Sequence, residues 1–208
     1  MKSKRSPSFS VFPTIIVIAG VLILVLAVYA ALRSLASAAA SLEPSVTEPA
    51  PASTVKSSTH TGTRLGNRAT DFTLRDQDGR QVSLYDYEGK VILIDISAMW
   101  CPPCRQEARE AMALYSANKE RGFIILSVLM DDERQLPPDQ QDCRRWAEAF
   151  RLTFPVLADT SRSVWRAYDE SGGVPLNLVI DREMVIRYKR AGYAQGEIET
   201  TVERILSE

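Results

Sequence analysis

The chain has 208 residues and a formal net charge of -1, so its overall charge gives no reason to expect nucleic-acid binding. Residues 64 to 208 have the length of one domain and are numerous enough to form a real hydrophobic core. The preceding residues differ from them in composition, and the sequence shows no internal repeat.

The first predicted element is a membrane anchor. Residues 14 to 32 carry no charge and are long enough to span a bilayer. Three basic residues lie before this run: Lys2, Lys4 and Arg5. We therefore expect residues 1 to 13 in the cytoplasm and the rest of the chain outside the membrane. A cleaved signal peptide is the alternative, because Ala36-Ser37-Ala38 fits a small-residue cleavage site, although the apolar run is longer than a usual signal core.

Residues 33 to 63 are predicted to be a flexible linker. They are rich in Ala, Ser, Thr and Pro and contain almost no large apolar side chains that could repay the entropy of ordering. His60 is the only histidine of the chain and lies in this segment. We expect it to be a solvated linker residue and neither a catalyst nor a metal ligand.

Beyond the linker, strand patterns alternate with helical patterns. Residues 71 to 74 and 81 to 84 are strand-like and flank the turn signal Asp76-Gln77-Asp78-Gly79, which predicts a β-hairpin. Residues 91 to 96 and 123 to 130 are apolar without alternation, which is typical of strands covered on both faces. Helices are predicted over residues 103–120, 142–150, 161–168 and 197–206, a short strand over 154–157, and a second hairpin over 176–180 and 184–188. This order predicts an α/β fold around a mixed sheet.

The strand at 91 to 96 leads into Trp100-Cys101-Pro102-Pro103-Cys104, directly before the first helix. The two-residue spacing places both sulfurs on one side of the first helical turn, where they can alternate between a disulfide and two thiols. Unpaired amides and the positive end of the helix dipole favour a thiolate there. The pattern predicts a redox couple in which Cys101 attacks and Cys104 resolves the mixed disulfide, with no other cofactor.

A structural zinc site is the alternative, since C-x-x-C is also the spacing of zinc ligands. Such a site needs two more ligands, and the remaining candidates are Cys143 and His60, both distant in sequence. We therefore favour the redox couple and expect no metal. Cys143 itself fits an inert, partly buried thiol, with pairing between chains or a third exchange group as the alternatives.

The domain resembles the membrane-anchored thioredoxin-like proteins of the TlpA and ResA type. The matching residues are Asp71-Phe72-Thr73-Leu74, Asp78-Gly79, Gly89-Lys90, Trp100-Cys101-Pro102-Pro103-Cys104 with Glu107, Phe154-Pro155-Val156-Leu157, and Gly173-Val174-Pro175 before Ile180-Asp181. The resemblance implies a thioredoxin fold, a central mixed β-sheet flanked by helices, with an added N-terminal β-hairpin. It also implies extracytoplasmic reduction of protein disulfides, with apocytochrome c as a candidate substrate and a membrane thiol reductase as electron donor.

Two acids are predicted to serve the couple, because release of the substrate requires Cys104 to lose a proton. Asp95 lies where thioredoxins carry a buried acid, and Glu107 lies one helical turn beyond Cys104. Solvated positions are the alternative for both.

Three residues are predicted to bind the substrate. Pro175 matches the family's proline that follows a cis peptide bond and faces the dithiol. This bond would place the Val174 backbone where a substrate strand can pair beside Cys101, and Trp100 would offer an apolar rim.

Three other functions are alternatives to that of a dithiol reductant. A peroxiredoxin-type peroxidase has similar opening strands but usually carries its nucleophile in a Thr-x-x-Cys turn. A copper-carrying module of the same fold would need a histidine, and residues 64 to 208 contain none. A disulfide-forming oxidase is disfavoured, because Pro102 and Pro103 have no backbone N–H to stabilise a thiolate.

Overall fold

A computed structural model describes residues 26–28, 60–169, 172–194 and 196–208. The chain divides into two compact units, Met1–Ser53 and Thr54–Glu208. Of the first unit only residues 26–28 are described, and they are helical. Most of the predicted anchor at 14 to 32 and of the linker at 33 to 63 therefore lies outside the described residues. Within the described residues, no helix combines the length and the apolar character needed to cross a bilayer.

The second unit is built on a mixed seven-stranded sheet, as predicted. Its strands are β3 Thr73–Asp76, β4 Gln81–Ser83, β5 Val91–Ala98, β6 Phe123–Asp131, β7 Val156–Ala158, β8 Leu176–Ile180 and β9 Ile186–Ala191. They lie in the order β4-β3-β7-β6-β5-β8-β9. The central strands β5, β6 and β7 are mutually parallel, whereas the strands at both sides join antiparallel.

The described residues of this unit form four α-helices: α1 Pro102–Asn118, α2 Gln140–Phe150, α3 Ser163–Tyr168 and α4 Glu197–Leu206, of which the first three connect strands and α4 follows β9. All four fall where the sequence pattern predicts a helix. Strands β5 and β6 are buried along their whole length, which agrees with their continuous apolar sequence. Each fully buried Val, Leu or Ile in them contributes about 1.5–3 kcal/mol relative to an exposed position. The buried strand β5 ends just before the two cysteines and so fixes the turn in the core.

The predicted N-terminal hairpin is present, but its first strand begins two residues later than expected. The side chain of Asp71 accepts hydrogen bonds from the Ser83 hydroxyl and from the Tyr85 amide, so it caps the hairpin and does not extend the strand. At the other end, the Asp76 carboxylate accepts from the amides of Asp78 and Arg80 and closes the turn. The hairpin thus adds β3 and β4 to the sheet beside β7.

A small parallel pair precedes this hairpin. Strand β1, Thr61–Gly62, pairs with β2, Arg68–Ala69, so residues 61 and 62 of the segment predicted as a flexible linker form a strand. Gly62 lets the backbone of β1 lie close to the side chain of Asn67, because a Cβ at this position would lie 2.3 Å from Nδ2 of Asn67.

Two boundaries differ from prediction because aspartate side chains organise the adjoining loops. Strand β9 starts at Ile186 and not at residue 184, since the Asp181 carboxylate accepts from the amides of Glu183 and Val185 and lengthens the turn. Helix α2 starts at Gln140 and not at residue 142. A reciprocal capping box between Asp139 and Asp142 fixes this earlier start.

Candidate active site

The two cysteines lie at the junction between β5 and α1, as predicted. They form a disulfide with a Cα–Cα distance of 5.3 Å. Cys101 is the N-cap residue of α1, and its Sγ accepts from the Cys104 amide at 3.2 Å. Pro102 and Pro103 fill the first two helical positions and have no N–H. The Cys104 amide is therefore the first helical N–H that can stabilise charge on the Cys101 sulfur.

Cys101 is only slightly more exposed than Cys104. Its exposed fraction is 2%, against 0% for Cys104, so both sulfurs lie beneath the surface. Cys101 is covered because its Sγ packs 3.7 Å from the carbonyl oxygen of Val174. The neighbouring Trp100 is the exposed residue of this turn, with 40% of its surface accessible.

Val174 and Pro175 lie against the disulfide. The peptide bond between them is cis, as predicted from the resemblance. The Pro175 carbonyl accepts from the Gly192 amide at 2.7 Å, which ties this loop to the segment after β9. The backbone of Val174 thus borders the Cys101 sulfur.

Trp100 is held by a charged network that sequence reasoning missed. Its Nε1 donates to Oδ2 of Asp131 at 3.2 Å, and the same carboxylate pairs with Arg162. A register argument could have found Asp131, because the parallel strands β5 and β6 end together and pair Ala98 with Asp131. Arg162 precedes α3 and gives no comparable signal.

Asp95 is buried in the middle of β5, with 5% of its surface exposed. Its carboxylate accepts hydrogen bonds from the hydroxyls of Ser97 and Ser127. Burial raises the pKa of Asp95 to about 6, although both serine hydrogen bonds oppose the shift. The alternative of a solvated Asp95 is therefore excluded.

Glu107 is also buried, with 7% of its surface exposed. Burial, with a further contribution from the nearby Asp95 charge, raises the pKa of Glu107 to about 9. Neither carboxylate oxygen has a hydrogen-bond partner among the described residues, and the same holds for the side-chain amide of Asn177. Asn177 lies opposite Asp95 in the register between β5 and β8. Its side-chain amide partly offsets the rise in the pKa of Glu107, although the two side chains form no hydrogen bond.

Burial and mutual repulsion therefore make the two acids retain a proton to higher pH than exposed carboxyl groups do. Two buried carboxyl groups that repel each other retain one proton between them. Such a pair can take up a second proton when a neighbouring thiol loses one. Cys104 lies one turn before Glu107 on α1, so its thiol is a candidate source of that proton.

Comparison with known proteins places this site in a family. The AhpC/TSA family model matches residues 65–189. The chain belongs to the AhpC/TSA family. Within it, the chain is similar to the thiol-disulfide oxidoreductase ResA of Geobacillus kaustophilus, with 31% identity over 146 residues that cover 70% of this chain and 80% of the relative. The ResA protein of Geobacillus thermodenitrificans is 33% identical over 122 residues, which cover 59% of this chain and 66% of the relative.

The structural comparison agrees with this membership. The thioredoxin domain of a thiol-disulfide oxidoreductase from Bacteroides vulgatus matches with a TM-score of 0.57 and 26% identity, covering 69% of this chain and 98% of that domain. The predicted thioredoxin fold and the TlpA/ResA resemblance are confirmed. This member of the AhpC/TSA family is a thiol-disulfide oxidoreductase with a C-x-x-C couple.

The third cysteine of this family member lies apart from the couple. Cys143 is a free thiol on α2 with none of its surface exposed. Burial raises the pKa of Cys143 to about 12, so it is neither reachable nor ionised for exchange. Within the described parts of the chain, no cluster of three or more His, Cys, Asp or Glu side chains is arranged to hold a metal.

Proposed function

We propose that the protein reduces disulfides of other proteins on the outer side of the cytoplasmic membrane, anchored by residues 14 to 32. The observation that carries the direction is the electrostatic setting of the couple. One early amide, that of Cys104, contacts the Cys101 sulfur, and two buried acids lie on the inner side of the turn.

This setting favours the disulfide over the dithiol. Oxidants of the fold owe their strength to a well-stabilised thiolate in the reduced form. Here Pro102 and Pro103 contribute no amide donor, and the charge shared by Asp95 and Glu107 disfavours a second negative charge. A couple that prefers to be oxidised gives electrons away.

The exchange has two steps. The Cys101 thiolate attacks a substrate disulfide, one substrate sulfur leaves as a thiolate, and a mixed disulfide forms. Cys104 then loses its proton to the Asp95–Glu107 pair and attacks the Cys101 sulfur. The bond to the substrate breaks, the second substrate sulfur departs with the electron pair, and the Cys101–Cys104 disulfide is restored.

The substrate is proposed to bind as an extended segment across Trp100 and the Val174–Pro175 loop. The burial of the Cys101 sulfur requires a substrate whose disulfide can enter beside Val174, which favours a flexible or unfolded chain. Apocytochrome c, the substrate class implied by the resemblance, satisfies this requirement. A membrane-bound thiol reductase would return the couple to the dithiol form.

The reduction potential tests the direction. Purified protein is equilibrated with a dithiothreitol or glutathione series, and its free thiols are counted by alkylation. We expect a potential nearer roughly -270 mV than about -120 mV. A couple that stays reduced at about -150 mV would instead make the protein a disulfide-forming oxidase.

The location is tested separately. Full-length protein should fractionate with membranes, and the domain should be reached by an impermeant thiol reagent from outside. Mature protein that begins near Ser41 would show a cleaved signal peptide and remove the anchor from the proposal.

A further inference from the structure

A small cavity borders Glu107 and lies between α1 and α4. Its polar lining consists of the side chains of Asp95, Glu107, Glu110, Tyr193 and Glu199, and the rest of the lining is apolar. The cavity offers about 20 Å³ to the centre of a water molecule. One water needs about 10–15 Å³ measured in this way, so the cavity has room for one.

Glu107 needs an outlet for protons, and its own side chain does not provide one. Its two oxygens are sealed from solvent and have no partner in the described part of the chain. Because the Asp95–Glu107 pair already retains one proton, it takes a proton from Cys104, as the proposed function requires, most readily when a proton leaves Glu107 for solvent in the same step. The inference below rests on that proposed function.

Glu110 continues the line from Cys104 and Glu107 along α1. The three residues are spaced by three positions, so each lies next to the following one on the helix surface, with a rise of about 4.5 Å per step. Glu110 is half-buried, lines the cavity, and accepts a hydrogen bond of 2.7 Å from the Tyr193 hydroxyl. Tyr193 follows Gly192, whose amide donates to the Pro175 carbonyl. Glu110 and Tyr193 are less buried than Asp95 and Glu107 and thus lie between those acids and solvent, beside the loop that borders the dithiol.

The charged and titratable groups around Glu107 are acidic or phenolic. Asp95 faces it from β5, Glu110 from α1 and Glu199 from α4, with Tyr188 of β9 and Tyr193 nearby. The cavity lining contains no lysine or arginine among the residues that the structure describes. No fixed positive charge is therefore present there to expel a proton from Glu107, and its release depends on a polar route.

We propose that Glu110 and Tyr193 are positioning residues that hold a water against Glu107 and form the outlet through which its proton reaches solvent. A tyrosine hydroxyl can donate and accept at once, so it can orient the water while bonded to Glu110. The hydrogen bond to Glu110 raises the pKa of Tyr193 to about 12, which keeps this hydroxyl protonated during turnover. The proton moves from the Cys104 thiol to the acid pair, then through the water to Glu110 and out, and the pair regains its single negative charge.

The test separates the two chemical steps with a small aromatic disulfide, 5,5′-dithiobis(2-nitrobenzoate). Attack by Cys101 of the reduced full-length protein releases one coloured thiolate, and attack by Cys104 on the mixed disulfide releases the second. In stopped-flow measurements, Tyr193→Phe should leave the first phase unchanged and slow the second about tenfold, part of the factor of about 10²–10⁴ that a general base provides. The slowed phase should accelerate as pH rises, because hydroxide replaces the missing route.

A matched control removes a tyrosine hydroxyl that donates a hydrogen bond elsewhere in the domain. Tyr85 donates to the Ala69 carbonyl at 2.8 Å and does not line the cavity, so Tyr85→Phe should change neither phase. Glu110→Gln should reproduce the effect of Tyr193→Phe. In a Glu107→Gln background, Tyr193→Phe should cause no further slowing, since residues on one route are not additive.

Three results would overturn the outlet: a normal second phase in Tyr193→Phe, equal slowing of both phases, or additive losses with Glu107→Gln. Equal slowing would show that Tyr193 supports the fold of the site and has no part in proton transfer. Wild-type protein that releases no thiolate at all would refute the proposed exchange function itself.

Discussion

Replacing Glu107 by glutamine should make the protein more stable at pH 8 while leaving its stability at low pH nearly unchanged. In the folded protein, burial raises the pKa of Glu107 from its ordinary value of 4.5 to about 9. Between these values the folded state binds one proton more than the unfolded state. The free energy of unfolding therefore falls as pH rises through this window, and the full stability is present only below about pH 4.5.

The size of the effect follows from linkage. One proton of difference changes the free energy of unfolding by about 1.4 kcal/mol per pH unit, so wild-type protein should lose about 3 kcal/mol between pH 6 and pH 8 through Glu107. Asp95, whose pKa burial raises to about 6, contributes its loss mainly below this range. Glutamine has nearly the same shape and no proton to bind, so this part of the slope should vanish in Glu107→Gln.

Urea unfolding of the oxidised protein at pH 6, 7 and 8 measures the slope, with the disulfide intact so that the two active cysteines do not titrate. Glu120→Gln serves as the control, because it removes an exposed carboxyl whose side chain is 89% accessible, and its curve should run parallel to wild type. Parallel curves for wild type and Glu107→Gln would show that the pKa of Glu107 is the same in the folded and the unfolded protein. Asp95 and Glu107 would then not act as a proton-holding pair.

Three further outcomes are expected. Cys101→Ser should abolish exchange and Cys104→Ser should accumulate mixed disulfides, seen on non-reducing gels; normal product release by Cys104→Ser would reverse the assigned roles. Asp131→Ala should lower the free energy of unfolding by about 1–3 kcal/mol and change the fluorescence of Trp100, because Trp100 and Arg162 both lose the carboxylate that they contact. An unchanged spectrum would contradict the hydrogen bond between Trp100 and Asp131. Cys143→Ser should leave the exchange rate unchanged in a thiol-release assay, and a slower rate would implicate this thiol in the cycle.

The sequence predicts best those features that depend on neighbouring residues. The redox turn, the four helices and both hairpins are local patterns, and the structure confirms each of them. Boundaries shift by two residues where an aspartate such as Asp71 or Asp181 binds backbone amides, since capping competes with strand extension at the same positions.

The parts of the site that sequence reasoning missed join residues far apart in the chain. Arg162 reaches Asp131, and Asn177 lies opposite Asp95 only because β8 runs antiparallel beside β5 in one register. The burial of Cys101 likewise depends on how the Val174 loop closes over it. No local pattern encodes these tertiary contacts.

The N-terminal hairpin has a consequence for solubility. A strand edge with free amides and carbonyls is a template for pairing with other chains, and this protein is proposed to pair with extended substrates. By covering β7 with β3 and ending the sheet at β4, which has only three residues, the hairpin leaves a short edge. Deleting it would uncover a strand next to the core and invite self-association. The hairpin thus limits strand pairing on this side of the sheet, which would protect the protein from aggregating with the extended substrates of the proposed function.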